Sequence, residues 1–131
     1  TPNIADTIGF ARALDYLESI DFDAAIAHEH QVHQHLTEAM LSRKKVDVLG
    51  HPKHWTSVCS FNVKGAHPTD VGTLLDQLGF AVRTGHHCAM PTMEHFGLPG
   101  TTRASVAFYN TVDEVDRFLE ALDRVIGMLT D

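Results

Sequence analysis

Hydrophobic and polar residues repeat along the chain with two different periods, one typical of helices and one typical of strands. The helical period predicts helices over about residues 4–19, 23–43, 68–78, 91–96 and 111–129. The strand period and short apolar runs predict strands over about residues 46–49, 57–63, 80–83 and 102–109. This order predicts an α/β (α+β) fold in which helices cover one face of a small, mostly antiparallel sheet.

Two of the predicted strands show which side chains face the core. In the strand over 57–63, Cys59 shares the apolar side with two larger residues, so we interpret this thiol as structural and buried. In the strand over 102–109, Arg103 points away from the core, beside a small hydroxyl. The core side of that strand carries Ala104, Val106 and Phe108. The polar face of the sheet is therefore left for a ligand or another domain.

Composition and charge narrow the classes of function. The chain has 131 residues, 44% of them hydrophobic, which favours a single domain over residues 1–131 with its own core. Seventeen acidic against 10 basic residues give a net charge of −7, which argues against a nucleic-acid partner. We expect no membrane partner, since no apolar run is long enough. Two cysteines favour a reducing, cytoplasmic setting. The first residue, Thr1, suggests a piece of a longer protein.

The segment 83–91 carries the candidate chemistry. Cys88 follows a turn glycine and two histidines after a predicted strand, where an exposed thiol can react and nearby positive charge favours the thiolate. The alternative is a small buried cysteine beside two surface histidines. Arg103 is the second candidate, because a guanidinium binds a carboxylate through two parallel hydrogen bonds. Its alternative role is a surface ion pair.

The ten histidines raise the question of a metal site. Four of them, His28, His30, His33 and His35, fall on the second helix, where their spacing prevents convergence on one ion. We interpret them as a solvated helix face. His86, His87 and Cys88 are too contiguous to supply three ligands of one tetrahedral site. We therefore expect no metal site.

The segment Arg83–Pro91 together with 103–105 and 109–111 resembles the C-terminal region of a cysteine desulfurase of the SUF and CSD type. The resemblance covers essentially the whole chain. It implies the small domain of a fold-type I pyridoxal-phosphate enzyme, of the class V aminotransferase family. Such an enzyme is a cytoplasmic homodimer that converts L-cysteine to L-alanine. The sulfur remains on the enzyme as a persulfide and passes to an acceptor protein of the SufE/CsdE kind, for iron–sulfur cluster assembly.

The resemblance also implies a role for individual residues. Cys88 matches the nucleophile that receives the sulfur, and Arg103 matches the arginine that holds the substrate α-carboxylate. Thr1 matches a threonine that reaches the cofactor phosphate of the neighbouring subunit. The shell around the thiol is formed by Arg83, His86 and His87.

One departure from the family pattern limits these expectations. The large domain that carries the Schiff-base lysine is absent. None of the lysines of this chain stands in the family's lysine motif; they are Lys44, Lys45, Lys53 and Lys64. We therefore expect leading helices plus the C-terminal small domain of a larger enzyme, with no cofactor bound and no activity in this chain alone. The alternatives are a free-standing sulfur carrier or interaction module that accepts sulfur in trans at Cys88, and a histidine-based metal-binding domain. The motifs do not separate the SUF from the CSD branch.

Overall fold

A computed structural model describes residues 1–50 and 56–130. The sequence of residues 50–54 predicts a turn, and most of this segment lies outside the described residues. The elements, in chain order, are α1 (Ile4–Glu18), α2 (Phe22–Leu41), β1 (Val46–Val48), β2 (Val58–Val63), α3 (Pro68–Gln77), β3 (Arg83–Gly85), α4 (Met90–Phe96), β4 (Thr101–Ser105) and α5 (Val112–Thr130). Each predicted helix is present. Within the described residues, no helix is both long and apolar enough to cross a membrane.

The four strands form one sheet in the order β1-β2-β4-β3, and every neighbouring pair is antiparallel. Alternation along β2 gives the sheet two different faces. Cys59, Phe61 and Val63 are buried against the helices, together with Thr102 of β4; we call this side the helix face. The other side, which carries Ser60 and Asn62 of β2 and Arg103 of β4, is the open face. The predicted sheet with helices on one side is confirmed.

Three helices build the core over the helix face. The second half of α2 contributes Val32, Leu36 and Met40, and α3 contributes Val71 and Leu75. Apolar residues form a buried stripe along α5: Val115, Phe118, Leu119, Leu122, Val125 and Ile126. The capping box at the start of α5 is also present, since the Glu114 amide donates to Thr111 Oγ1 and the Thr111 amide donates to the Glu114 carboxylate.

Two strand boundaries differ from the prediction, and both differences have a tertiary cause. The strand predicted over 80–83 begins only at Arg83, because the Phe80 amide still donates to Leu75 O of α3 and the Phe80 ring packs edge-on against Phe118. The strand predicted over 102–109 ends at Ser105, because a turn follows in which Asn110 bonds back to Ala107. The prediction that Phe108 faces the core is therefore wrong, since its side chain is exposed.

Helix α1 contrasts with the rest of the core. Asn3 caps it by accepting a hydrogen bond from the Asp6 amide. Its apolar positions form the predicted helical face, yet none of its residues is buried. Within the described residues this face is therefore uncovered, and the hydrophobic pattern of α1 does not contribute to the core of this chain.

Candidate active site: the cysteine loop and the open face

The cysteine loop, residues 86–89, is a tight turn that leaves β3. The Ala89 amide donates to His86 O over 2.8 Å and closes the turn. Both central residues have left-handed backbone conformations, with φ of 54° at His87 and 56° at Cys88. Cys88 is exposed at this turn, so its predicted position on an accessible loop is confirmed and the alternative of a buried thiol is wrong.

The base of the cysteine loop depends on a close approach of two glycines. Gly85 ends β3 with φ of +112°, which favours glycine. A Cβ added to Gly100 would lie 2.9 Å from the carbonyl carbon of Gly85, closer than packed atoms allow. This contact brings the loop beside the start of β4. There the His87 Nε2 atom lies 2.9 Å from Thr101 Oγ1 and 3.2 Å from Thr101 O.

The open face presents two arginines side by side. Arg83 of β3 is the register partner of Arg103 of β4, and Ser60 of β2 is the partner of Arg103 on its other side. Arg103 is half-buried and Arg83 is exposed. Within residues 1–50 and 56–130 neither guanidinium forms an ion pair, so the alternative of a surface ion pair for Arg103 finds no support there. Two neighbouring cations without a counter-ion favour an anionic ligand.

Unsatisfied polar atoms mark the same region. In the described part of the chain, the buried side-chain nitrogen and oxygen atoms without a hydrogen-bond partner are Arg103 Nε, His87 Nδ1 and Asn62 Oδ1. Arg103 and Asn62 lie on the open face, and Asn62 also donates through Nδ2 to Gly100 O. Buried polar atoms are almost always paired in folded proteins. The open face and the cysteine loop therefore have the chemistry of a site that is completed by another group.

Asn62 was missed by the sequence analysis. The alternation that places Cys59 and Phe61 on the helix face also places Asn62 on the open face, two residues from Ser60. That signal was available from the strand period alone, but nothing local distinguishes a site residue from a solvated strand residue.

The electrostatics of the loop favour a neutral His87. Burial lowers the pKa of His87, the positive charges of Arg103, Arg83 and His86 lower it further, and the contact with the Thr101 backbone opposes them. The influence of both arginines on this pKa indicates that the open face and the cysteine loop form one electrostatic environment. His86, the adjacent histidine, is exposed.

The second cysteine, Cys59, is buried, in contrast to the exposed Cys88. Cys59 is 0% exposed on the helix face, and burial raises its pKa to about 11, although a hydrogen bond with Thr37 acts against that shift. A buried thiol with a raised pKa is a poor nucleophile. The prediction of a structural Cys59 is confirmed.

The helical histidines differ partly from the prediction. His28 bonds to Asn110 O and His35 lies 2.6 Å from Asp116, both at the surface. The prediction of a solvated position is wrong for His33, which is 5% exposed because α2 packs this side against the beginning of β2. In the described ranges, no group of three or more histidine, cysteine or acidic residues is arranged to hold a metal ion.

The lysines and Thr1 do not extend the site within the described residues. Lys64 pairs with Asp47 over 3.1 Å and Lys45 donates to Thr130, which places both near β1, at the opposite edge of the sheet from β3. Lys44 is exposed in the turn before β1, and Lys53 lies outside the described residues. Thr1 is exposed ahead of α1, and the hydrogen bonds of this terminus begin at Asn3.

Comparison with known proteins identifies relatives over nearly the whole chain. The family model described as aminotransferase class-V matches residues 1–118. A probable cysteine desulfurase of Pseudomonas putida is 46% identical over 129 residues, which are 98% of this chain and 32% of the relative. The crystal structure of the cysteine desulfurase CsdA from Escherichia coli matches with a TM-score of 0.89 and 34% identity, over 99% of this chain and 32% of that one.

A second solved structure is also similar to this chain. The apo structure of a cysteine desulfurase from Thermococcus onnurineus matches with a TM-score of 0.87 and 39% identity, over 98% of this chain and 32% of that one. The chain thus spans about a third of the length of the relatives that it matches.

Proposed function

This chain belongs to the aminotransferase class-V family, and we propose that it is the leading helices and C-terminal small domain of a longer pyridoxal-phosphate-dependent cysteine desulfurase. In this proposal residues 1–131 form one structural unit, and the remaining two-thirds of such an enzyme supply the large domain. The uncovered apolar face of α1 supports this division, because a helix with no buried residue has its packing partner elsewhere.

The observation that carries the proposal is the guanidinium of Arg103, which has no partner among the described residues and lies on the strand next to the one that leads into the exposed Cys88. Within the described ranges Arg103 Nε is buried without a hydrogen-bond acceptor, on the open face of β4 and opposite Arg83 of β3, the strand from which the cysteine loop leaves. The α-carboxylate of L-cysteine would satisfy this atom, since arginine binds a carboxylate in a planar, two-bond geometry. In this proposal Arg83, the register partner of Arg103 on β3, adds a second positive charge near the carboxylate.

Cys88 then acts as the nucleophile. Its thiolate attacks the sulfur atom of bound L-cysteine, a new S–S bond forms, and the bond between that sulfur and the substrate Cβ breaks. The Cβ takes a proton, so the products are L-alanine and a persulfide on Cys88. An exposed turn suits the next step, in which a thiolate of an acceptor protein of the SufE/CsdE kind attacks the outer sulfur and regenerates the Cys88 thiol. We assign this sulfur to iron–sulfur cluster assembly in the cytoplasm.

The described residues do not fit pyridoxal phosphate by themselves. The cofactor needs a lysine for its Schiff base, and the described lysines with identified partners lie near β1, away from the cysteine loop. We propose that the cofactor is held by the large domain. We further propose that Thr1 reaches the cofactor phosphate of the neighbouring subunit in a homodimer, where an exposed position ahead of α1 is accessible to a second chain.

The test is release of L-alanine from L-cysteine by the full-length enzyme that contains this chain. We expect Cys88→Ser to lower turnover by roughly 1,000-fold, because a hydroxyl is a far poorer sulfur acceptor. We expect Arg103→Ala to raise the KM for L-cysteine by roughly 10- to 100-fold, since it removes a charged hydrogen-bonding pair. Cys59→Ala is the matched control for the thiol and should retain activity, because Cys59 is buried on the other face of the sheet.

Two results would contradict the proposal. Full activity of the Cys88→Ser enzyme would remove the nucleophile from its assigned position. Alanine release by the 131-residue chain alone, with added pyridoxal phosphate, would show that the cofactor needs no large domain. Sulfur uptake at Cys88 from a separate donor, without any activity of the longer protein, would instead favour a free-standing sulfur carrier.

A further inference from the structure

The cysteine loop has an unusual backbone. His87 and Cys88 are consecutive, neither is glycine, and both have φ near +55°: 54° and 56°. Left-handed conformations cost free energy for residues with a Cβ and persist only where surrounding contacts impose them. A turn with positive φ at both central positions would ordinarily favour glycine or asparagine. The contacts that impose this conformation are therefore part of what presents the Cys88 thiol.

The His87 side chain provides such a contact. Its Nε2 atom lies within hydrogen-bonding distance of both the hydroxyl and the carbonyl oxygen of Thr101. Thr101 is 1% exposed and is the first residue of β4, a strand paired on both sides. On the other side of the turn, the amides of Thr92 and Met93 in α4 donate to Ala89 O. The turn is thus attached to the sheet through one side chain and to α4 through its backbone.

The chemistry of this contact favours one tautomer of the ring. A carbonyl oxygen only accepts hydrogen bonds, so the contact with Thr101 O favours the tautomer in which Nε2 carries the hydrogen and acts as the donor. Burial and the neighbouring positive charges lower the pKa of His87, which favours the neutral ring with an unprotonated Nδ1. The adjacent His86 contributes its backbone carbonyl to the turn, but its exposed side chain forms no hydrogen bond within the described ranges.

We propose that His87 is the positioning residue of the cysteine loop, and that its bond to Thr101 holds the left-handed turn on which Cys88 presents its thiol. The two adjacent histidines then have different roles, because His86 can be replaced without loosening the turn. The consequence for catalysis rests on the proposed desulfurase function. The structural part of the inference concerns the turn alone and can be measured independently of activity.

The structural test is hydrogen exchange of the Ala89 amide, which closes the turn. In this chain we expect His87→Ala to accelerate that exchange by at least about tenfold, because the turn loses its attachment to the sheet. His87→Gln should restore much of the protection, since its amide group carries a donor at similar reach. His86→Ala is the matched control and should leave the exchange unchanged. Thr101→Val removes the hydroxyl but keeps the carbonyl, so an intermediate acceleration is expected.

The catalytic test uses the same variants in the full-length enzyme. We expect His87→Ala to lower kcat for alanine release by about tenfold, because a misplaced nucleophile reacts more slowly. The KM for L-cysteine should change little, since Arg103 is retained. His87→Gln should recover most of the turnover. A structural defect of the whole domain would change KM and the exchange of core amides in α5 as well.

The outcomes separate this inference from the proposed function. Unchanged Ala89 exchange in His87→Ala, or an equal effect of His86→Ala, would overturn the role of His87. If His87→Ala fails to fold, the other two variants decide. The role of His87 would then be overturned if exchange of the Ala89 amide is unchanged in Thr101→Val and fast in His87→Gln. If the exchange results are as expected but no full-length variant, including the wild type, releases alanine, then the desulfurase proposal fails and the attachment of the turn stands.

Discussion

Cys59 lies in β2 and Cys88 in the cysteine loop that follows β3, and these two regions differ in how completely this chain surrounds them. Around Cys59, three helices cover the helix face, and the thiol is fully buried with a hydrogen bond to Thr37. Around Cys88, the thiol is exposed, and the nearby open face holds buried polar atoms that have no hydrogen-bond partner in the described part of the chain. The helix face therefore explains why the chain folds, and the open face is the region to which the proposed function assigns a substrate and the rest of the enzyme.

The largest expected effect tests whether the helix face is the stabilising region. Phe118 of α5 is 7% exposed and packs against Phe80, whereas Phe108 is 43% exposed beyond the end of β4. Truncation of Phe118 to alanine should lower the free energy of unfolding by about 3–5 kcal/mol, because it removes a large buried ring. Truncation of Phe108 should cost less than about 1 kcal/mol, since most surface substitutions have small effects.

Urea unfolding of this chain and the two variants checks the comparison. Similar losses for Phe118→Ala and Phe108→Ala would mean that the α5 stripe does not form the core, or that the turn after β4 is packed. Either result would remove the contrast between the two regions.

A smaller effect comes from pH, because each region contains one histidine with a lowered pKa. Burial is the main cause for His33; its backbone bond to Val58 and the charge of Glu29 oppose that effect, while His30 reinforces it. Burial is also the main cause for His87. In the unfolded chain these groups titrate near a pKa of about 6.5. Since the folded state binds protons less readily, the stability from both groups is complete above that pH and decreases as the pH falls.

Unfolding measured between pH 7.5 and 5.5 should therefore show a falling free energy of unfolding. Each histidine contributes a slope of at most about 1.4 kcal/mol per pH unit. His33→Gln should remove the contribution of the helix face and leave that of His87. A free energy of unfolding that is constant or rises on acidification would contradict the burial of both rings.

The local signals in the sequence were sufficient for most of the architecture. Asn3 and the Thr111–Glu114 capping box mark helix starts through their own side chains, and the period of β2 separates Cys59 from Asn62 without tertiary information. The alternation along the strand that contains Arg103 likewise predicts that this side chain lies on the face opposite to the core. These features depend on residues close together in the chain, which is why the pattern predicts them.

The remaining differences depend on contacts between distant residues. Phe80 carries the apolar character of a strand, but its packing against Phe118 delays the start of β3. His33 resembles a surface residue until α2 lies against β2. The left-handed pair at His87 and Cys88 could not be predicted from residue type, since neither is glycine and the attachment to Thr101 is 14 residues away from His87.

The central claim is that the two cysteines have opposite chemical roles, and their alkylation in the folded chain tests it most directly. Iodoacetamide at neutral pH, followed by mass spectrometry of the peptides that contain each residue, gives both rates in one sample. We expect Cys88 to react at least about 100-fold faster than Cys59, because the Cys59 thiol is buried and its pKa is raised to about 11. Denaturant should bring the two rates close together. Equal rates in the folded chain, or faster reaction of Cys59, would contradict the account.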